Sequence, residues 1–133
     1  AFIRESQDLG ARAAGGASII STIDVGEAKN IHPSNKHEVG RRLALWALAT
    51  VHGHDLEWSG PVFRKAEAMQ GVWRIHFDHA AGLSTRDGAR PDGFAVAGFD
   101  GVFLWAEAQL DGETILISHP KLSELAAVRY AWQ

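Results

Sequence analysis

An aspartate and a histidine stand eight residues apart in the segment 22–33, where their types and spacing suit proton transfer. A loop histidine can act as a general base, because the pKa of imidazole lies close to neutral pH. It then needs a carboxylate at Nδ1, which holds the tautomer and stabilises the imidazolium. His32 is the candidate base, Asp24 is the first candidate for the carboxylate, and Glu27 is the second. Pro33 restricts the backbone after His32. The same spacing also fits a surface histidine beside the start of a helix.

The elements before His32 are predicted to place Asp24 at the edge of a sheet. Helix-forming residues with one apolar face predict a helix over 2–13, which Gly15 and Gly16 end. The short β-branched run 17–25 predicts a buried parallel strand, with Asp24 at its C-terminal end. Because ligands of open α/β sheets bind at the carboxyl ends of strands, this position suits a functional carboxylate.

A second helix is predicted directly after the loop. Asn35 followed three residues later by Glu38 fits an N-cap with a capping box, and the apolar spacing over 39–50 fits one helical face. Gly53 is the predicted stop. Residues 1–54 therefore predict an αβα fragment at the edge of a doubly wound sheet, too short to be a complete domain of that kind.

Residues 55–133 carry the signals of antiparallel strands. Alternating or β-branched runs predict strands at 72–77, 94–97, 102–110, 114–118 and 128–132. Asp-Gly pairs at 100–101 and 111–112 lie between such runs, where they favour tight hairpin turns. We therefore expect a small antiparallel β domain with a sandwich-like architecture.

The composition fits an ordinary globular protein. Of the 133 residues, 46% are hydrophobic and 22% are charged, which argues against disorder. The net charge of −3 offers nothing that attracts nucleic acid or an anionic membrane. No apolar run reaches the roughly 18 residues that span a bilayer. The lack of cysteine excludes disulfides, thiolate zinc sites and a cysteine nucleophile.

The segment around His32 contains three short blocks, which are TIDVG at 22–26, NIHPSNK at 30–36 and EVGRRL at 38–43. Further blocks follow downstream, namely SGP at 59–61, GFAVAG at 93–98, WAEA at 105–108, DGET at 111–114 and VRYAW at 128–132. Together these blocks resemble the C-terminal catalytic block and tail of the sialate O-acetylesterases, which are SGNH-type (GDSL-like) carbohydrate esterases. The resemblance covers nearly the whole chain.

The resemblance implies both a fold and an activity. The fold is α/β, with the C-terminal fragment of an SGNH-type doubly wound α/β domain over 1–54 and a small antiparallel, sandwich-like β domain over 55–133. The activity is hydrolysis of acetyl esters on sugars by a Ser-His-Asp type mechanism, without a metal or organic cofactor. His32 would be the catalytic histidine and Asp24 the acid. Many SGNH enzymes place the acid three residues before the histidine, where this chain has Lys29.

The resemblance also implies partners. The serine nucleophile would lie in a Gly-Asp-Ser-like block near the start of the full protein, and none of the eight serines of this chain has that context. Ser21 shares the predicted strand of Asp24 but lacks the sharp turn that exposes a nucleophile. The start at Ala1, without an initiator methionine or a signal peptide, also suggests a missing N-terminal portion. We expect that portion to carry the serine, an acetylated carbohydrate to be the substrate, and this chain alone to be inactive. Nucleic acid and membranes are not expected partners, and the family suggests a periplasmic or secreted protein.

Metal binding is an alternative role for two histidine clusters. Their spacing is loose for a metal site, so we expect solvated or hydrogen-bonded side chains instead. The clusters are His52, His54 and Asp55 in one place and His76, Asp78 and His79 in another.

A noncatalytic role is the second hypothesis for the chain. Its tryptophans are Trp46, Trp58, Trp73, Trp105 and Trp132. Exposed tryptophan rings stack on sugars, so the second half fits a carbohydrate-binding or partner-packing β-sandwich module. Large aromatic side chains mostly fill cores, however, and that is the expectation here. Arg41 and Arg42 are predicted to lie on a solvated flank of the second helix.

Overall fold

The structure is a computed structural model that describes residues 2–132 of the chain. The chain divides into two compact units. Unit 1 ends at Ser59 and unit 2 begins at Gly60. The sequence placed the domain boundary between residues 54 and 55, within the same connection.

Unit 1 begins with helix α1 (Phe2–Ala14), where the sequence predicts a helix. Asp8 and Arg12 lie one turn apart on it and form an ion pair, with 2.8 Å between Oδ2 and Nε. Such a pair supports a helix. Gly15 follows with a φ of 64°, a left-handed conformation that glycine adopts at low cost and that commonly ends helices. The predicted helix and its stop are confirmed.

Helix α2 (Lys36–Thr50) begins at the predicted cap. The side chain of Asn35 accepts a hydrogen bond from the backbone N–H of Glu38 at 3.2 Å, which satisfies one of the free amides of the first turn. The Glu38 carboxylate pairs with Arg41 and Arg42, which lie one turn further along the helix. Neither α1 nor α2, the two α-helices of residues 2–132, has the length and apolar character to cross a membrane.

The predicted strand over 17–25 is wrong. Residues 17–22 have no regular secondary structure, and Ile23–Val25 form a 3-10 turn. A strand needs a neighbour to pair its backbone N–H and C=O groups, and residues 2–59 contain no other strand. The order observed in unit 1 is therefore helix, 3-10 turn and helix, in place of the predicted αβα fragment.

Unit 2 consists of two antiparallel sheets. Its strands are β1 (Val62–Met69), β2 (Val72–Asp78), β3 (Phe94–Ala97), β4 (Phe103–Trp105), β5 (Glu107–Asp111), β6 (Thr114–Ser118) and β7 (Ala127–Tyr130). The larger sheet has the strand order β1-β2-β6-β5, and the smaller sheet has the order β4-β3-β7. The predicted antiparallel pairing is confirmed for each neighbouring pair.

Both predicted hairpin turns are present in unit 2. Asp111 pairs with Thr114 across the β5–β6 hairpin, and Gly112 has the positive φ, 59°, that tight hairpins require. In the turn that joins β3 to β4, Asp100 Oδ1 accepts a hydrogen bond from the N–H of Val102 at 3.1 Å. A short polar side chain thus stabilises the turn locally.

The core of unit 2 lies between its two sheets. Ile75, Ile115 and Ile117 of the larger sheet form one buried cluster with Phe94 and Val96 of the smaller sheet. Val96 and Ile117 have no exposed surface. Because each sheet buries one face against the other, the predicted sandwich-like architecture is confirmed.

Two features of unit 2 differ from the prediction. Strand β1 was not predicted, because it lies at a sheet edge and carries Arg64, Lys65 and Glu67, which hide its apolar alternation. The single strand predicted over 102–110 is wrong, since the chain passes from one sheet to the other at Ala106. The N–H of Ala106 donates to the carbonyl of Phe94 at 3.0 Å, and strands that change sheets commonly break at such corners.

Candidate functional site

His32 lies on an exposed loop of unit 1 between the 3-10 turn and helix α2. The loop folds back on itself at Glu27, whose carbonyl accepts a hydrogen bond from the N–H of Asn30 at 3.1 Å. The Asn30 side chain then accepts a hydrogen bond from the backbone N–H of His32 at 2.9 Å. The backbone of His32 is therefore fixed by a local turn.

The carboxylate of Glu27 closes this loop. Its Oε1 accepts hydrogen bonds from the backbone N–H and the hydroxyl of Ser34, at 2.7 and 2.8 Å. Its Oε2 accepts one from the Asn30 amide at 3.0 Å. Glu27 thus joins the two ends of the loop that contains Ile31, His32 and Pro33, and we call Glu27, Asn30 and Ser34 the loop brace.

The loop brace keeps Glu27 charged. The hydrogen bond from the backbone N–H of Ser34 lowers the pKa of the Glu27 carboxyl most, followed by those from the Ser34 hydroxyl and the Asn30 amide. Glu27 is accordingly ionised at neutral pH, and both of its oxygens accept hydrogen bonds from other residues of the loop.

Asp24 is held by helix α2. Its Oδ1 and Oδ2 accept hydrogen bonds from Nη1 and Nη2 of Arg42, at 2.8 and 2.7 Å. Arg42 Nη1 also donates to the carbonyl of Ser21. This bidentate ion pair ties the 3-10 turn to the helix, and its planar geometry suits an arginine in particular.

Glu38 joins the same network from the first turn of α2. Its Oε1 accepts from Nη2 of Arg41 at 2.7 Å and from Nε of Arg42 at 2.8 Å. These hydrogen bonds, that from Arg41 first, lower the pKa of Glu38 to about 2. The hydrogen bonds that Arg42 donates to Asp24 and Glu38 raise the pKa of Arg42. The network therefore stays fully ionised over the ordinary pH range.

The expected pair between His32 and Asp24 is not formed in this structure. Within residues 2–132, the His32 imidazole has no hydrogen-bond or ion-pair partner, while both oxygens of Asp24 accept from Arg42. The reason is competition, because a fixed bidentate guanidinium binds a carboxylate more strongly than a neutral imidazole N–H does. The roles of His32 and Asp24 in catalysis stay predictions.

This arrangement has a specific chemical capacity. It presents an exposed imidazole on a braced loop, and the elements at the two ends of that loop are joined by an ion-pair network. A ring of this kind can exchange a proton with a group that is brought to it. Nothing in the loop competes for its nitrogen atoms.

Sequence reasoning missed the residues that organise the site. The prediction that Arg42 lies on a solvated flank is wrong, since it bridges Asp24 and Glu38 and its side chain is only 22% exposed. Its position four residues after Glu38 was a usable signal. The loop brace had a weaker sequence signal, because Asn30 and Ser34 are common turn-forming residues.

The second histidine cluster contains ion pairs. In unit 2, Nε2 of His76 lies 3.1 Å from Oε2 of Glu67, a contact that lacks hydrogen-bond geometry. Asp78 lies 3.6 Å from Arg64. Across the described residues 2–132, no three metal-ligating side chains come together.

The tryptophans of unit 2 are divided between core and surface. Trp73 packs against the buried cluster, as the sequence analysis expected. Trp132 lies 4.7 Å from the guanidinium of Arg129, in a cation–π contact. Trp105 on β4 is 64% exposed. Core packing therefore explains only part of this tryptophan content.

Comparison with solved structures relates the chain to a known protein. No protein-family model matches this sequence, and a search of the curated proteins finds no match either. Among solved structures, the chain is similar to the crystal structure of a novel carbohydrate acetylesterase from Xanthomonas citri, with 40% sequence identity and a TM-score of 0.78. The match covers 83% of this chain and 26% of that protein, so the chain spans about a quarter of its length. The likeness supports a relationship to carbohydrate esterases.

Proposed function

We propose that this chain is the C-terminal portion of a carbohydrate O-acetylesterase, which hydrolyses acetyl esters on sugars. The observation that carries the proposal is the 40% identity and shared fold with a carbohydrate acetylesterase over 83% of the chain. The exposed imidazole of His32 on its braced loop adds a chemical reason, since acyl transfer from an ester needs a proton acceptor near neutral pH.

In the proposed mechanism His32 acts first as a base and then as an acid. It accepts the proton of a serine hydroxyl supplied by an N-terminal portion, and the serine oxygen attacks the acetyl carbonyl. Hydrogen-bond donors of that portion stabilise the tetrahedral oxyanion. His32 then gives the proton to the departing sugar oxygen. A water molecule, deprotonated by His32, attacks the acetyl-serine, and His32 returns that proton to the serine oxygen as acetate leaves.

Asp24 is the proposed carboxylate partner of His32. Its position in the TIDVG block, which resembles part of the catalytic block of the sialate O-acetylesterases, supports this assignment. Glu27 is less suited, since both of its oxygens already hold the loop backbone through Ser34 and Asn30. Both oxygens of Asp24 accept from Arg42, so pairing with His32 would require this ion pair to rearrange when the active site is assembled.

The surface of unit 1 supports a role for an N-terminal portion. None of residues 2–59 is buried, and large apolar side chains of both helices lie at the surface, including Phe2, Ile3, Leu9, Leu43 and Leu48. An amphipathic helix normally buries its apolar face against another element. We propose that the portion carrying the serine covers these faces and brings the hydroxyl to His32.

Acetate release tests the proposal. A longer protein that joins this chain to an N-terminal portion with a Gly-Asp-Ser-like block should release acetate from acetylated glycans, and an organophosphonate that reacts with activated serines should stop it. The 133-residue chain alone should release none. An intact longer protein that folds and yet releases no acetate from any acetylated sugar would contradict the proposal.

Parallel assays with two classes of acetylated sugar identify the preferred substrate. O-acetylated sialic acid, the substrate of the family that the sequence resembles, forms one arm, and acetylated plant-wall glycans form the other. Faster release in the first arm would assign the sialate-type activity, and faster release in the second would assign the protein to neutral glycans.

A further inference from the structure

Unit 2 contains two neighbouring depressions that share one loop. The larger has a volume of about 830 Å³ and the smaller one about 540 Å³, and Arg90, Pro91, Asp92 and Phe94 line both. The larger one opens between the sheets of the sandwich. Its volume lies in the range of roughly 300–1,000 Å³ that is usual for small-molecule sites.

The wall and the rim of the larger depression differ in character. Its wall is apolar and aromatic, with Phe77, Phe94 and Val128 among the lining residues, and its rim carries charged side chains of the loop. Apolar walls with a few polar groups are the common composition of ligand sites. The depression therefore suits a ligand with an apolar face and polar edges.

Arg90 differs from the other arginines of unit 2. Arg64 and Arg74 form ion pairs with aspartates, Arg129 lies 3.7 Å from the centre of the Phe103 ring, and Arg86 also has a partner. Among residues 60–132, Arg90 alone of the arginines has no hydrogen bond, ion pair or ring contact. Its guanidinium is thus available at the shared rim.

Asp92 stands apart among the aspartates in the same way. Asp78 and Asp111 pair with arginines, and Asp87 and Asp100 accept hydrogen bonds from backbone N–H groups. Within the described part of unit 2, Asp92 is the one aspartate without such a partner. A free donor and a free acceptor therefore lie two residues apart on one loop.

An aromatic ring with an open face lies beside this loop. Tyr130 packs on Phe94 with 4.6 Å between ring centres, yet 65% of Tyr130 is exposed. The register of the smaller sheet explains the position, because Phe94 and Tyr130 are directly paired across β3 and β7. The core thus supports one side of the ring while the other side stays open for stacking.

We infer that this loop and Tyr130 form a binding site for a neutral saccharide. The C–H face of a pyranose ring stacks on the open side of Tyr130, and its hydroxyls accept from Arg90 and donate to Asp92. The two depressions together are lined by three arginines and three carboxylates, so their charges balance; these are Arg86, Arg90, Arg129, Asp87, Asp92 and Glu107. An acidic sugar therefore gains nothing from the net charge of the site. This inference rests on the proposed function for the choice of a sugar, and it assigns to unit 2 the recognition of the glycan remote from the ester.

A titration of the 133-residue chain with unacetylated cellohexaose and xylohexaose tests the inference. The backbone amide signals of Asp92, Gly93 and Tyr130 should shift in NMR spectra, and hexagalacturonate should bind no more tightly than the neutral hexasaccharides. Because these probes carry no ester, binding is measured independently of hydrolysis. A failed acetate assay with intact sugar binding would overturn only the proposed enzyme, and the reverse result would overturn only this site.

Substitutions in the loop and at Tyr130 sharpen the test. Tyr130→Ala should weaken binding roughly tenfold by loss of stacking. Tyr130→Phe retains the aromatic ring and should retain most of the binding affinity, so it is the matched control. Arg90→Ala should weaken binding about fivefold by loss of a charge-assisted hydrogen bond, and Arg64→Ala is the matched control on β1. Absence of shifts up to about 10 mM saccharide, where even a millimolar Kd would be seen, would overturn the inference. Equal effects of Arg90→Ala and Arg64→Ala would do the same.

Discussion

The two units of this chain are stabilised in different ways. All nine buried apolar residues belong to unit 2, between Ile75 and Leu125 in the sequence, and residues 2–59 contain none. Unit 1 instead has the Asp24–Arg42–Glu38 network and the loop brace. Apolar burial is the dominant favourable term in folding, whereas exposed ion pairs contribute little.

This difference in apolar burial separates a unit that has a hydrophobic core from a unit that has none. Unit 2 has a buried core between its two sheets. The helices of unit 1 have 13 and 15 residues, a length at which isolated helices are marginal in water. Unit 1 carries the candidate chemistry, and the proposed N-terminal portion would supply the apolar contacts that it lacks.

Replacing His32 should give the largest effect, and that effect should be on the catalytic rate and not on stability. In the proposed full-length esterase, His32→Ala should lower kcat by up to roughly six orders of magnitude, the loss that follows removal of the catalytic histidine from a serine protease. The melting temperature should stay unchanged, since the ring has no hydrogen bond within residues 2–132. Steady-state kinetics and calorimetry check both points.

His52→Ala is the matched control for this substitution, at another exposed histidine of unit 1. It should leave kcat within a factor of two. Activity of His32→Ala within a few-fold of the natural protein would remove His32 from the mechanism.

A pair of apolar substitutions compares the two units directly. Ile117→Ala, at a fully buried position of unit 2, should lower the free energy of unfolding by about 2–5 kcal/mol. Leu43→Ala, at a half-exposed position of α2, should change it by at most about 0.5 kcal/mol in this chain. Urea unfolding measures both. Similar losses at the two positions would show that unit 1 has a core of its own.

Disruption of the loop brace should have a smaller effect, which should appear in kcat. Glu27→Ala in the complete esterase removes the three hydrogen bonds that close the loop of His32. We expect kcat to fall by roughly 10- to 100-fold, with little change in KM, because a small displacement of a catalytic group costs about that much. Glu5→Ala on α1 is the control. A large rise in KM with unchanged kcat would show that Glu27 acts on the substrate instead.

Acid should weaken unit 1 through Glu38. Its pKa falls from an ordinary value of 4.5 to about 2 in the folded chain. A lowered folded pKa means that the ionised group stabilises the fold above the ordinary value, and that this stability is lost as the pH falls from 4.5 towards 2. Because Glu38 is solvated, the contribution is small, and circular dichroism at 222 nm should show a minor loss of helix in that window.

Glu38→Gln tests the assignment of this acid response. It should be less helical at neutral pH and should lack most of the dependence between pH 4.5 and 2, whereas hydrogen exchange in the core of unit 2 should change less. An unchanged acid transition in Glu38→Gln would assign the effect to other carboxylates.

Local signals determined a large part of the fold. The cap at Asn35 and the stop at Gly15 depend on contacts within a few residues, as do the turns at 100–101 and 111–112. Such contacts can be predicted because the partners are neighbours in the sequence. The turn of the His32 loop is also built from neighbours, residues 27–34, but its brace was missed because Asn30 and Ser34 occur in many kinds of turn.

The partners of the site residues were decided by the tertiary structure. Arg42 lies 18 residues from Asp24, and no local rule predicts that it takes both oxygens of that carboxylate. Arg90 and Asp92 were likewise not distinguished in the sequence, since only the folded unit shows which charges are left without partners.

The sequence by itself determined the helices, most of the strands, the hairpin turns and the position of His32, because these depend on short-range hydrogen bonds and on apolar periodicity. Only the tertiary structure decided that 17–25 is not a strand, that β1 is one, and that the run 102–110 breaks at Ala106. The physical reason is that a strand exists only where a neighbouring segment pairs with its backbone, and that neighbour can lie anywhere in the chain.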